Sequence, residues 1–369
     1  MTPLADRLAA RIAATGPMTL AEYMLECLLD PQQGYYATRD PLGAAGDFTT
    51  APEISQIFGE LAGLSLAQSW LDQGAPAPFA LAELGPGRGT LMADIWRAAT
   101  IVPGFHAAAH IHLVEASDPL RAAQARALRG LPVIWHARAD DLPDAPLWLI
   151  ANEFFDALPI RQFQRAGPAW RERVVGLQGG RLAIGLTDPA PRPDLADRLT
   201  DTPESGIVEL RPAAEPVMAA IEARIATRGG AAVLIDYGDW GSRGDTFQAL
   251  RGHAFADPFA DPGQADLTAH VDFAALARAA PALHASCLTP QGVWLDRLGI
   301  RQRTARLGHS LQGSARAAHD AATHRLTDGA EMGNLFKVLA LVQVGAPMPP
   351  GLEPGPEPDR VRETQKAGG

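Results

Sequence analysis

Between residues 78 and 152 the chain alternates short apolar runs with amphipathic segments. No other feature limits the fold more. FALAEL (79–84), HIHLVE (110–115), PVIWH (132–136) and PLWLIAN (146–152) read as strands. TLMADIWRAA (90–99) and PLRAAQARALRG (119–130) between them read as helices, the second stopped at Gly130. The strand runs are apolar almost throughout. That pattern belongs to parallel strands whose two faces are both covered. The prediction is an α/β fold with a doubly wound sheet.

Other segments attach to this sheet. Residues 1–75 are predicted to form an N-terminal helical lid region. Leu4, Leu8 and Ile12 make one stripe, and Leu20, Met24 and Leu28 another. Residues 34–53, GYYATRDPLGAAGDFTTAPE, read as a loop. A catalytic domain is predicted over 76–345, with an insertion at about 160–230. In the insertion IRQFQR, AWRERVVGLQ and RLAIGL suggest antiparallel strands, turning near Gly167-Pro168 and Gly179-Gly180, followed by a helix over PAAEPVMAAIEARIATRGG. AAVLIDYG (231–238) returns to the main sheet as its fifth strand. Residues 346–369 read as a disordered tail.

Composition excludes some classes. The net charge of −10 argues against a general nucleic-acid binder. No run of about 20 apolar residues is free of charges and prolines, so no membrane span is expected. Cys27 and Cys287 show no ligand spacing, and both are expected to be buried and inert. The ten histidines form no HExxH, and no metal site is predicted. The N-terminal segment lacks the apolar core of a secretory signal, and a cytoplasmic, bacterial protein is expected. Oligomeric state is not fixed by the sequence.

The turn after the first strand, AELGPGRGT, sets Gly85, Gly87 and Gly89 at every second position. Such a turn lets a ligand approach the backbone, and the helix starting at Thr90 offers free N–H groups. A dinucleotide turn usually reads GxGxxG. Here the third glycine comes one place early, and Glu83 precedes the first by two residues. That carboxylate would repel a pyrophosphate and attract a cation. S-adenosylmethionine, with its ammonium and sulfonium, suits the turn better than NAD. Glu115 ends the second strand, placed to accept from ribose hydroxyls. Asp140 and Asp141 follow the third, where an adenine amino group could be met.

The chain resembles the MidA family of class I methyltransferases, which includes the mitochondrial complex I assembly-factor arginine methyltransferase. The resemblance rests on GDFTTAPEISQIFGE, ELGPGRGTLMADI, HLVEASDPLRAAQ, ANEFFDALPIRQF, WRERVV, LIDYG, GDTFQALRGHAF, PGQADLTAHVDFAAL and LFKVLAL, spread over roughly 20–342. It implies a Rossmann-like methyltransferase sheet, S-adenosylmethionine as cofactor and methyl transfer to a protein arginine. A complex I subunit is the substrate it suggests.

On this view the fourth strand delivers Asn152, Glu153 and Asp156 beside the methyl position. A guanidinium stays protonated at neutral pH and is a poor nucleophile. Paired carboxylates would hold its fork and align one nitrogen. If residues 153–159 begin a helix, Glu153 and Asp156 share a side. Asp47, Thr49, Thr50 and Glu53 would meet the methionyl end, although Thr50 or Ser55 could equally be a helix cap. Asp266, His270 and Asp272, and Asp236 with Tyr237, are lesser candidates, and Arg171, Glu172 and Arg173 suggest a platform for a partner. Methylation of another residue or of a small molecule, or a non-catalytic assembly chaperone, stay open at this point.

Overall fold

A computed structural model describes residues 2–38, 50–241 and 243–356. The first strands are β1 (Phe79–Leu84), β2 (Ala109–Val114), β3 (Val133–His136) and β4 (Leu147–Asn152). They are followed by β5 (Arg161–Ala166), β6 (Ala169–Gln178), β7 (Arg181–Leu186), β8 (Ile207–Leu210) and β9 (Gly230–Asp239). Two late strands are β10 (Leu283–Ala285) and β11 (Phe336–Gln343). The central sheet runs β10-β11-β9-β4-β1-β2-β3. β9, β4, β1, β2 and β3 are parallel, and β11 is antiparallel to β9.

Both faces of the sheet are covered at its centre, while the edge strand β3 is part-exposed. Ala80, Ala82 and Leu84 of β1 and Leu147, Leu149 and Ala151 of β4 join one apolar cluster. Leu81 of β1 and Trp148 and Ile150 of β4 join the cluster on the other face. The alternation explains why the strands read as apolar runs rather than as a two-residue pattern. The longer helices before β9 are α1 (Pro3–Thr15), α2 (Leu20–Leu29), α3 (Gln56–Asp72), α4 (Thr90–Ala99), α5 (Asp118–Ala127) and α6 (Ala214–Arg228). α3 and α4 cover one face, and α6 covers the other through Met218, Ile221 and Ile225. Each fully buried large apolar side chain contributes about 1.5–3 kcal/mol.

Two predicted boundaries and one predicted burial differ in the structure. First, α6 belongs to the central sheet, so the inserted antiparallel strands end with β8 at Leu210. β5–β8 join the two-residue strand Met18–Thr19, which pairs with Val174 and Val175. α1 and α2 are thereby fastened to the insertion, and Leu4, Leu8, Tyr23 and Met24 share an apolar cluster with Val175 and Leu267. Second, residues 346–356 lie on the body rather than forming a tail: Leu352 is buried and Pro354 bridges to Ser286. Third, Cys287 is exposed, whereas Cys27 is buried. No helix of the described residues is long and apolar enough to cross a membrane.

Candidate cofactor and acceptor site

A cavity of about 380 Å³ opens at the carboxyl ends of β1, β2 and β4. This is the edge where open α/β sheets bind ligands, and the volume falls in the usual range for small-molecule sites. Its wall includes Glu83, Gly85 and Gly87 from the glycine turn, Glu115 from the end of β2, Asp140, and Asn152 and Glu153 from the end of β4. Thr50 and Glu53 approach from the N-terminal region.

The turn is left-handed at Gly85, Gly87 and Gly89, with φ of +58°, +53° and +85°. Gly85 is under a second constraint. A Cβ there would come within 2.9 Å of Cδ2 of Phe154. β1 and the residues after β4 therefore approach closely only because no side chain stands between them.

Glu83 is 2% exposed, and its Oε2 has no hydrogen-bond partner. Burial, reinforced by the nearby Glu115 charge, pushes its carboxyl up to about 8, against a backbone N–H from Met92. A buried acceptor facing a cavity with nothing to accept from is a costly arrangement unless a ligand supplies the donor. The ammonium of S-adenosylmethionine is such a donor. Glu115 is buried too, and burial raises its pKa. Its Oε1 accepts from the Ser117 N–H at 2.8 Å and its Oε2 from Gln124 Nε2 at 3.2 Å. Each oxygen keeps a lone pair for a ribose hydroxyl. These residues fit the cofactor.

The one-turn helix Ala51–Ile54 closes one side. Its Glu53 accepts from the Thr90 hydroxyl through Oε1, and its Ala51 N–H donates to Glu153 Oε1 at 3.3 Å. Ser55, not Thr50, caps the following helix, by accepting from the Ile57 N–H.

Glu153 has φ of +53°, a conformation that costs a non-glycine residue about 1–3 kcal/mol and gathers at functional sites. Residues 153–159 form no helix, so the expected shared helical side does not exist. With the left-handed backbone at Glu153, only one of the two acids reaches the cavity wall. Glu153 lines the cavity, and Asn152 Nδ2 donates to its Oε1 at 3.0 Å. Burial, with the Asp156 charge second, brings its carboxyl up to about 7. Asn152 Oδ1 is buried without a partner.

Asp156 does not line the cavity. It is buried behind it, accepting from its neighbour Ala157 N–H at 2.8 Å and from Tyr237. Asp236 sits with it, taking the N–H groups of Phe155 and Asp156 at 3.1 and 3.2 Å. Burial raises both carboxyls, and the Arg211 guanidinium opposes the rise. These acids bond to the turn after β4 and are not among the residues lining the cavity.

Asp140 reaches the cavity's edge and pairs with Arg138 at 3.1 Å. Asp141 does not reach it, because it accepts from the Arg138 N–H at 3.2 Å. Asp47 and Thr49 lie outside the described residues. His270 stays out of the cavity with its ring against Tyr237, and Asp272 caps the helix Phe273–Arg278. Glu172 pairs with Arg161 and Arg173 with Asp245, so much of the supposed platform is internally neutralised. GYY at 34–36 reads in the sequence as either a closure of the acceptor pocket or, more strongly, buried packing, and Gln124 carries no sequence signal. Tyr36 lines the cavity and donates to Asp266 at 2.9 Å, and Gln124 links the glycine turn to Glu115.

Residues 61–291 match a family described as "Putative S-adenosyl-L-methionine-dependent methyltransferase". The chain belongs to this family, and S-adenosylmethionine is its cofactor. Curated relatives agree over most of their length. The human mitochondrial protein arginine methyltransferase NDUFAF7 is 37% identical, covering 93% of this chain and 84% of that protein. The Drosophila melanogaster homologue is 36% identical, covering 92% and 84%. A Burkholderia thailandensis protein crystallised with S-adenosyl-homocysteine superposes with a TM-score of 0.82 at 30% identity, covering 94% of this chain and 93% of that one. The fold is that of a class I methyltransferase. One expectation is corrected: the curated relatives are named as mitochondrial proteins, which overturns the assignment to a bacterial cytoplasm.

Proposed function

We propose that the chain transfers a methyl group from S-adenosylmethionine to an arginine side chain of a protein. The observation that carries this reading is the pair of buried, unmatched acceptors, Glu83 Oε2 and Asn152 Oδ1, on the wall of one cavity that also holds Glu153. Two cationic ligands satisfy that wall. Glu83 takes the cofactor's ammonium and Glu115 its ribose hydroxyls. Asp140, Thr50 and Glu53 border the same ligand. Glu153 and Asn152 take the acceptor.

Bound S-adenosylmethionine supplies an electrophilic methyl group. Glu153 holds the guanidinium fork and Asn152 Oδ1 accepts from the nitrogen that will carry the methyl, which aligns its lone pair. Most of the acceleration then comes from positioning. The proton displaced from that nitrogen passes to Glu153, whose carboxyl near 7 is ready to accept and release it. Asp156 acts through the β4 turn alone. The names of the relatives support arginine as acceptor, and a respiratory complex I subunit is the first substrate to try.

The test is incubation with labelled cofactor and isolated complex I subunits, followed by mass-spectrometric mapping. Label on an arginine is expected. Label confined to lysine or to a small metabolite would overturn the reading.

A further inference from the structure

Gln124 is fully buried on α5 and makes three side-chain hydrogen bonds at the cofactor edge. Its Nε2 donates to the Gly87 carbonyl at 2.8 Å and to Glu115 Oε2 at 3.2 Å. Its Oε1 accepts from Trp135 Nε1 at 2.9 Å. The orientation of the amide is chemically fixed. An indole N–H can only donate, so Oε1 must face Trp135. The carbonyl of Gly87 and the carboxylate of Glu115 can only accept, so Nε2 must face them. α5 also presses on the turn elsewhere: a Cβ on Gly89 would come within 3.3 Å of the Gln124 Cα.

We propose that Gln124 is a positioning residue for cofactor binding, locking the Glu115 carboxylate to the glycine turn so that both meet the cofactor as one preset unit. The inference rests on the proposed use of Glu115 for the ribose hydroxyls. Without the amide, Glu115 keeps only backbone N–H partners, Ser117 and Ala116, and loses the side-chain bond that ties it to the glycine turn. The Gly87 carbonyl and the Trp135 N–H lose their partner in the same step. The ligand then has to order what Gln124 had ordered in advance, and affinity falls.

The experiment is calorimetric titration of the full-length protein with S-adenosylhomocysteine and with its 2′,3′-dideoxy analogue. Wild type binding the first ligand tests the site itself. Gln124→Met is expected to weaken S-adenosylhomocysteine about tenfold or more, and the dideoxy analogue by less than about threefold, because one charge-assisted hydrogen bond is at stake. Glu115→Gln is expected to show the same ligand selectivity, and the double variant to lose no more than the worse single one. Trp135→Phe, a gentler change that removes the donor to the amide oxygen and leaves the side chain held only through Nε2, keeps the test alive if Gln124→Met does not fold. It is expected to weaken S-adenosylhomocysteine selectively as well. Equal losses for both ligands, or losses that add in the double variant, would overturn the proposal while leaving the cofactor site intact.

Discussion

Glu83 offers the sharpest handle on the cofactor reading. Burial holds its carboxyl at about 8 in the free protein. At pH 7 it is therefore protonated about ten times more often than ionised, a bias of about 1.4 kcal/mol. A bound ammonium reverses that preference, because the charge pair compensates the lost solvation. Binding of S-adenosylhomocysteine should thus expel about 0.9 proton at pH 7. Between pH 6 and pH 7, where the ligand's own amine stays charged, affinity should rise about tenfold for the same reason. The assay is calorimetry in two buffers of different ionisation enthalpy, with Glu83→Gln as the control that subtracts Glu115 and Glu153. The variant should bind more weakly at pH 7 and show little pH dependence. The free protein gives an independent check. A carboxyl raised in the folded state contributes stability that is present below its unfolded pKa and lost as pH climbs through about 8. The melting temperature of the wild type should fall over that window, and that of Glu83→Gln should fall less. Proton uptake on binding, or an affinity that is flat from pH 6 to 7, would refute the reasoning.

Further outcomes follow from the same geometry. Glu153→Gln should lower methyl transfer at least a hundredfold, the lower end for a lost acid–base group, while the Kd for S-adenosylhomocysteine stays within about threefold. In the wild type at saturating cofactor, kcat/KM for the acceptor should rise with pH through about 7 as Glu153 ionises, and that limb should vanish in the variant. Gly85→Ala must fit a Cβ at φ +58° within 2.9 Å of Phe154, so cofactor affinity and melting temperature should fall together. Asp156→Asn should lower the melting temperature and leave cofactor affinity within about threefold, since its carboxylate faces Tyr237 rather than the cavity. A selective loss of binding there would return Asp156 to the site.

The central strands β1, β4 and β9 are legible because they are buried on both faces and read as near-unbroken apolar runs. The glycine turn is legible because left-handed backbone demands glycine and because Glu83 and Glu115 sit at fixed offsets from strand ends. The fate of Asp156 is not, since it depends on Glu153 adopting φ of +53°. A spacing of three implies a shared side only in a helix. Gln124 looks like any polar residue on a surface helix until Trp135 and Gly87 are brought against it. Tyr36 is legible within GYY as a pocket or packing residue and it does line the cavity, but its partner Asp266 lies 230 residues away and is not legible. The insertion's limits blur because α6 is helical by pattern alone and declares its owner only through its contacts with the central sheet.

The central claim is that Glu83 and Glu115 together make the cofactor's seat, with Glu153 left for the acceptor. A crystal structure with S-adenosylhomocysteine tests it most directly. The amine is expected within hydrogen-bond distance of Glu83 Oε2, the ribose hydroxyls on Glu115, and the sulfur turned towards Asn152 and Glu153. A ligand seated away from the glycine turn, or one whose amine leaves Glu83 untouched, would contradict it.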